Sequence, residues 1–305
     1  MFFISQRINI TAIGAIALSV VTAACSPPNL TESADRNSNA SVAAVQELKI
    51  AVIPDRAPEI QRQELQELET YLETALGIPT DFEVTPDYKT SIQLIVEEQV
   101  EMAYLGPFSY VQAKDQNPDI EPLVTHIEQS TGRPWYTGVI VADTSQGITT
   151  LEDLRGKRFG FVSQSSTSGY LVPSAQFQEM GIDPEEDFAA IAYSGSHDKN
   201  ATALAQGEVD AIAIEETTYQ RAKASGELAG DRYVILWQSD PLPNSPLVIR
   251  STLPDEFKLS VRKALIEAPS GLGLVGGEQA SGYTSVADED YEPIRRIQQT
   301  LGLDN

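Results

Sequence analysis

Five hydroxyls occupy six consecutive positions in the run RFGFVSQSSTSGYLVP (158–173): Ser163, Ser165, Ser166, Thr167 and Ser168. A strand-like apolar run precedes them, and a glycine and a second apolar stretch follow, so a helix is expected to begin near Ser168 or Gly169. The free N–H groups at a helix start, with the positive end of the helix dipole, bind an anion without any Lys or Arg. Hydroxyls at those positions add donors able to wrap a tetrahedral oxyanion. The same residues also suit a helix N-cap with the surplus hydroxyls solvated, a role that needs one of them and not five. A nucleotide P-loop is excluded, because neither its glycine spacing nor a lysine next to Ser or Thr is present.

Other reactive groups are sparse. His126 and His197 stand far apart with no thiols near them, so no metal cluster and no cofactor is expected. Cys25 is the only cysteine, which rules out a disulfide framework. Ser166, His197 and Asp198 can be written on paper as a hydrolase relay. No GxSxG turn surrounds the serine, and an aspartate next to the histidine in sequence seldom stands behind its ring. Glu215 and Glu216 follow a strand end, where they suit either a ligand amine or the cap of the next helix.

The formal net charge of -23 argues against nucleic acid and anionic lipid headgroups as partners, since the long-range field repels both. An anionic ligand must therefore be captured by local donors. Residues 1–24 carry one charge, Arg7, and an apolar core, TAIGAIALSVVTAA, that is too short to span a membrane; they predict a secretory signal. The signal ends at TAAC, which resembles a bacterial lipobox, and cleavage there would leave Cys25 as a lipid-bearing N-terminus; Thr22 stands where that pattern usually has leucine. Residues 25–46, rich in Ser, Asn, Thr and Pro, predict a flexible tether.

From residue 47 onward strand and helix signals alternate, which predicts an α/β fold with mixed, mostly parallel sheets covered by helices on both faces. LKIAVI (48–53) is a buried-strand run; Ile60, Leu65, Leu68, Leu72 and Leu76 then recur at near-helical spacing, with Gly77 as the stop. DFEVTP, a helix over TSIQLIVEEQV, and strand–turn–helix in EMAYLGPFSYVQAK follow, Tyr104, Phe108 and Tyr110 serving as core and turn packing. A second series has strands RFGFV, FAAIAYS, VDAIAIE and RYVILWQ, and the chain ends in SPLVIR and two helices. Two α/β units in an exported, tethered chain suggest a two-lobed binding protein with its ligand beyond the carboxyl ends of the strands.

The segment STSGYLVP (166–173) resembles the binding loop of the phosphonate and phosphite solute-binding proteins of ABC transporters. PDY (86–88), AYLGPFSY (103–110), LEDLRGKRFGFV (151–162), SGSHD (194–198), GEVDAIAI (207–214) and DYEPIRRI (290–297) agree in order across nearly the whole mature chain. The resemblance implies a type 2 periplasmic-binding-protein fold, one lobe at 47–135 plus 241–305 and the other at 136–240, joined by two crossings. It implies no catalysis, and delivery of a phosphorus oxyanion to an ABC permease in the membrane. It puts Ser166, Thr167 and Ser168 on the phosphorus-bound oxygens, Tyr88 and Tyr136 on them from opposite flanks, and His197 as a donor at the next helix start. Family members commonly carry aspartate where this chain has Ser245. Phosphate, sulfonate or a thiamine precursor is the alternative cargo and a Ser/His hydrolase the weaker one. Nothing in the sequence indicates stable self-association, so a monomer is expected.

Overall fold

The computed structural model describes residues 45–304 except 130, 270, 271, 273, 274 and 276–279. The expected signal, Cys25 and nearly all of the tether lie outside the described residues.

The first elements are β1 (Leu48–Val52), α1 (Pro58–Leu76), β2 (Thr80–Val84), α2 (Tyr88–Val96), β3 (Met102–Tyr104), α3 (Pro107–Gln116) and β4 (Ile120–Glu128). After β5 (Trp135–Tyr136) come β6 (Gly138–Asp143), β7 (Arg158–Phe161), α4 (Val172–Glu179), the short α5 (Pro184–Asp187) and β8 (Ala190–Tyr193). Next are α6 (His197–Ala205), β9 (Ala211–Glu215), α7 (Glu216–Ser225) and β10 (Tyr233–Gln238). The chain then returns through β11 (Leu242–Pro243) and β12 (Pro246–Arg250) to α8 (Asp255–Ile266), β13 (Ala280–Ser285) and α9 (Glu292–Thr300).

These strands form two principal sheets, in the orders β13-β4-β12-β3-β1-β2 and β10-β6-β9-β7-β8. The chain leaves the first sheet after β4, enters the second at β6, and comes back after β10. The two crossing segments pair with each other, Tyr136 against Leu242 and Trp135 against Pro243, as a small antiparallel ribbon between the sheets. The α/β class and the mixing of strand directions are as expected, but parallel pairs do not predominate. Pairing is parallel where a helix returns the chain, in β1–β2, β1–β3, β7–β8 and β7–β9. Pairing is antiparallel wherever β12, β13, β6 or β10 joins a neighbour.

Buried strands supply the cores: β6 is buried at every residue, and β1 at all but Lys49. Helix α1 buries Gln61, Leu65, Leu68, Leu72 and Leu76, whereas Ile60 is exposed. The i, i+3, i+4 face runs through position 61, and Gln61 enters it because its Nε2 donates to the Ile53 carbonyl at 3.0 Å. Gly77 ends the helix at φ 71°, with its N–H on the Glu73 carbonyl at 2.9 Å. Strand β13 (ASGYTS) was not expected from sequence. Its apolar content is low, and it takes strand form through pairing with β4 and burial of Tyr283.

Candidate functional site

The hydroxyl run sits between β7 and α4, beyond the carboxyl end of a strand in the second sheet, where ligands of α/β proteins collect. Thr167–Leu171 forms a wide helical turn, with the Leu171 N–H reaching back five residues to the Ser166 carbonyl at 3.0 Å, and it runs directly into α4. Such turns recur at functional sites. Two glycines permit it: a Cβ on Gly169 would come within 2.5 Å of Val162 Cγ2, and one on Gly138 within 2.9 Å of Ser168 Cβ.

Structure separates the five hydroxyls by role. Ser163 and Ser165 are half-buried and shape the loop, the Ser165 N–H approaching Ser163 Oγ at 3.3 Å. Ser166, Thr167 and Ser168 are each 2% exposed. Ser166 Oγ caps the turn by accepting the Gly169 N–H at 3.1 Å. Thr167 Oγ1 accepts the Phe108 N–H at 2.8 Å. Both therefore keep an O–H proton to give. Ser168 Oγ is buried with no hydrogen-bond partner. Capping thus accounts for one serine, and the buried Ser168 hydroxyl is left without a hydrogen-bond partner of the ordinary geometry, beside the Tyr136 phenol.

The other expected residues converge on this turn. Tyr88, at the first position of α2 behind the Asp87 cap, lies beside Ser166. Tyr136, in the crossing ribbon, lies beside Ser168 and Thr167. Burial pushes both phenols upward, Asp55 adding to the effect on Tyr88 and Glu215 to that on Tyr136, so each holds its proton as a donor. His197 opens α6 behind the Ser196 cap, and its Nδ1 accepts the Glu215 N–H at 3.1 Å. That bond fixes the neutral tautomer with the proton on Nε2, and burial lowers the ring's pKa further. Nε2–H is a third kind of donor, after the hydroxyls and the phenols.

Two carboxyls complete the wall: Glu215, which the sequence offered for a ligand amine or a helix cap, and Asp55, which it did not single out. Asp55, three residues beyond β1, lies 4.0 Å from His197 Nε2, and Glu215, at the end of β9, lies 3.7 Å from it. One ligand atom from each of Asp55, His197 and Glu215 falls within 4.8 Å of the others, a spacing a metal ion could use. The donor set does not fit one. A metal-bound imidazole donates from its second nitrogen, whereas His197 accepts there and turns an N–H, not a lone pair, toward the carboxylates. Tyr104 is likewise a site residue as well as packing: its phenol, raised first by burial and then by Asp55 and Glu215, lies beside the Ser245 hydroxyl. The signal for Asp55 was its place just past a buried strand end in IPD; nothing in the sequence paired it with Glu215.

Glu216 is spoken for, accepting from Thr137 Oγ1 at 2.6 Å and Gln238 Nε2 at 2.8 Å. Asp198 does not stand behind the His197 ring; it pairs with Arg221 at 2.6 Å. The Ser166–His197–Asp198 relay is therefore not assembled, because the imidazole Nδ1 is occupied by a backbone N–H.

Two mixed α/β sheets, joined by a paired double crossing and lined between by neutral donors, define a solute-binding protein. The family model for the periplasmic substrate-binding protein of phosphonate ABC transporters matches residues 50–291, and the chain belongs to that family. It is 27% identical over 275 residues to a phosphate-import protein of Mycolicibacterium smegmatis, covering 84% of this chain and 86% of the relative. The binding-protein component of an ABC phosphonate transporter from Pseudomonas aeruginosa superposes with a TM-score of 0.76 at 25% identity, over 85% of this chain and 89% of that one. A Prochlorococcus marinus protein, solved with methylphosphonate, shares the fold at a TM-score of 0.73 and 17% identity, over 84% and 98% of the two chains. Among the described residues no helix is long and apolar enough to cross a membrane.

Proposed function

We propose that this protein captures a phosphorus oxyanion of the phosphonate, phosphite or phosphate kind and presents it to an ABC permease. The ligand oxygens lie on the hydroxyls of Ser166, Thr167 and Ser168, the phenols of Tyr88 and Tyr136, and His197 Nε2–H. The observation that carries this reading is the buried, unpartnered Ser168 Oγ among donors whose acceptor positions are already filled from within. Neutral donors suit an anion in a strongly acidic protein, because they offer directed hydrogen bonds without a counter-charge. The family and its relatives support the solute class. Within the site we assign no catalytic role to any residue.

The lobes are 47–135 with 241–305, and 136–240, hinged at the Tyr136–Leu242 ribbon and closing over the ligand. A lipid on Cys25 holds the mature protein, as a monomer, at the outer face of the membrane through the 25–46 tether. Calorimetric titration and thermal melting with phosphite, methylphosphonate, phosphate and sulfate test the function. Ligand at a hundred times its Kd should add about 2.7 kcal/mol of stability. Saturable binding of sulfate with none of the phosphorus oxyanions would overturn the assignment.

A further inference from the structure

The two carboxyls in the site meet across the sheets. Asp55 comes from the loop after β1 in the first, Glu215 from the end of β9 in the second, and His197 Nε2–H lies 4.0 and 3.7 Å from them, the three groups forming a cluster within 4.8 Å. Both flank the donors assigned above to the ligand, so an oxyanion bound there adds a third negative group to the same enclosure. The cations that act on Glu215 are already committed, Arg221 to Asp198 and Arg56 to Glu64. The other groups facing the pair worsen the balance or leave it unchanged. Glu128, at the end of β4, acts on Glu215 as a further carboxylate; His197 is neutral; Tyr88, Tyr104 and Tyr136 keep their protons.

We propose that Asp55 and Glu215 form a proton-linked element of the binding site, in which capture of the oxyanion is coupled to uptake of one proton by Glu215 beside the Asp55 carboxylate. This rests on the oxyanion-binding reading above. The proton comes from solvent: side-chain exposures of 19% for Asp55 and 22% for Glu215 leave the pair an exchange path. No bond other than the O–H forms, and the site's net charge is unchanged by a singly charged ligand plus its proton. Burial, then Asp55, then Glu128 already hold Glu215 well above the usual carboxylate range in the free protein. A bound anion pushes Glu215 up again. Because Glu215 titrates higher in the bound protein than in the free one, affinity is fully present below its free-state titration. It falls as pH rises from there to the bound-state titration, by up to about tenfold per unit. The window lies above ordinary carboxylate pH.

Asp55→Asn supplies the test, with methylphosphonate as the probe. The amide fills the same space but carries no charge, so Glu215 ionises with less penalty beside the bound anion. Isothermal titration from about pH 6 to 9, in buffers of different ionisation heat, measures proton uptake, and the phosphorus-31 NMR shift of the bound methylphosphonate shows whether the ligand itself gained the proton, in which case the proposal fails. Wild type should take up as much as about one proton more than Asp55→Asn at the pH where the difference peaks. The variant should bind more tightly than wild type at the alkaline end, a gain that loss of a purely structural carboxylate would not produce. Glu215→Gln should remove the same excess uptake, which keeps the test independent of either variant's folding. Equal uptake in wild type and both variants would overturn the proposal. So would tight binding of 2-aminoethylphosphonate without proton uptake while methylphosphonate stays unbound, because the pair would then be an ammonium socket. Binding of no phosphorus oxyanion at any pH, in any variant, would instead bring down the parent reading and this one with it.

Discussion

Thr167 Oγ1 accepts the backbone N–H of Phe108 at 2.8 Å, tying the hydroxyl turn of the second sheet to the first turn of α3 beside the first. Ser109 Oγ adds a parallel tie to the Ser165 carbonyl at 2.8 Å. One hydroxyl thus both faces the proposed ligand and bridges the walls around it, so ligand capture and approach of the two walls share an atom.

Replacing Thr167 and Ser168 together by alanine should weaken oxyanion binding by well over tenfold. Each hydrogen bond to a charged group is worth about 1.5–3 kcal/mol, and two are removed. The fold should survive, since Ser166 still caps the turn. Calorimetry for affinity and circular dichroism for folding check both halves. Unchanged affinity would return the cluster to loop shaping alone.

Ser245 faces Tyr104, whose phenol also lies under the influence of Asp55 and Glu215. Ser245→Asp would put a further carboxylate into that acidic corner. The substitution should weaken binding of dianions more than monoanions, and so steepen the loss of phosphate and phosphite affinity between about pH 6 and 8. A serine hydroxyl donates as well as accepts and exerts no such filter. Affinities of both ligands across that range, in wild type and variant, are the measurement. Identical pH dependence would mean that position 245 does not sense the ligand.

The legible part of this molecule was what local pattern controls. Buried apolar runs marked β1, β7 and β9, and the glycine after α1 marked its end. The hydroxyl turn stood out because five donors in six residues exceed what a cap needs. Strand β13 did not stand out, since ASGYTS becomes a strand only by pairing with β4 more than 150 residues earlier. Strand direction was also hidden: alternation of strands and helices says nothing of how the crossings at 129–137 and 239–245 reverse the chain. The Asp55–Glu215 meeting was the least visible feature of all. It joins ends of strands in different sheets, and in sequence each is an ordinary acid following an apolar run.

Cys25→Ser should move the protein from the membrane fraction to the soluble extracytoplasmic fraction, because a lipid-modified N-terminus depends on that thiol. Ligand affinity of the released protein should match wild type, since the proposed tether would separate the proposed anchor from β1. Fractionation followed by mass spectrometry of the N-terminal peptide gives the answer. A wild-type protein found soluble, with residues beyond 25 already removed, would end the anchor hypothesis.

Stability at low pH should depend on Asp143, the last residue of β6. The Arg232 guanidinium grips it with a two-pronged bond, Nε to Oδ1 at 2.7 Å and Nη2 to Oδ2 at 2.6 Å, and Ser145 donates to Oδ1 from both its N–H and its hydroxyl. The Arg232 bond foremost, with help from Ser145 and against the cost of burial, holds the carboxyl down at about 2. A folded-state pKa below the unfolded one means the stabilisation is complete above pH ~4 and disappears as pH falls through about 2. The bare shift would convert to roughly 2.5 kcal/mol. Arg232 is half in solvent, so screening reduces this to about 1–2 kcal/mol. Asp143→Asn should cost that much at pH 7 and lose its deficit relative to wild type between about pH 4 and pH 2. Urea denaturation of both proteins at pH 7, 4 and 2.5 measures the effect. A deficit that stays constant across those pH values would assign the loss to altered packing at the end of β6, not to the carboxylate's charge.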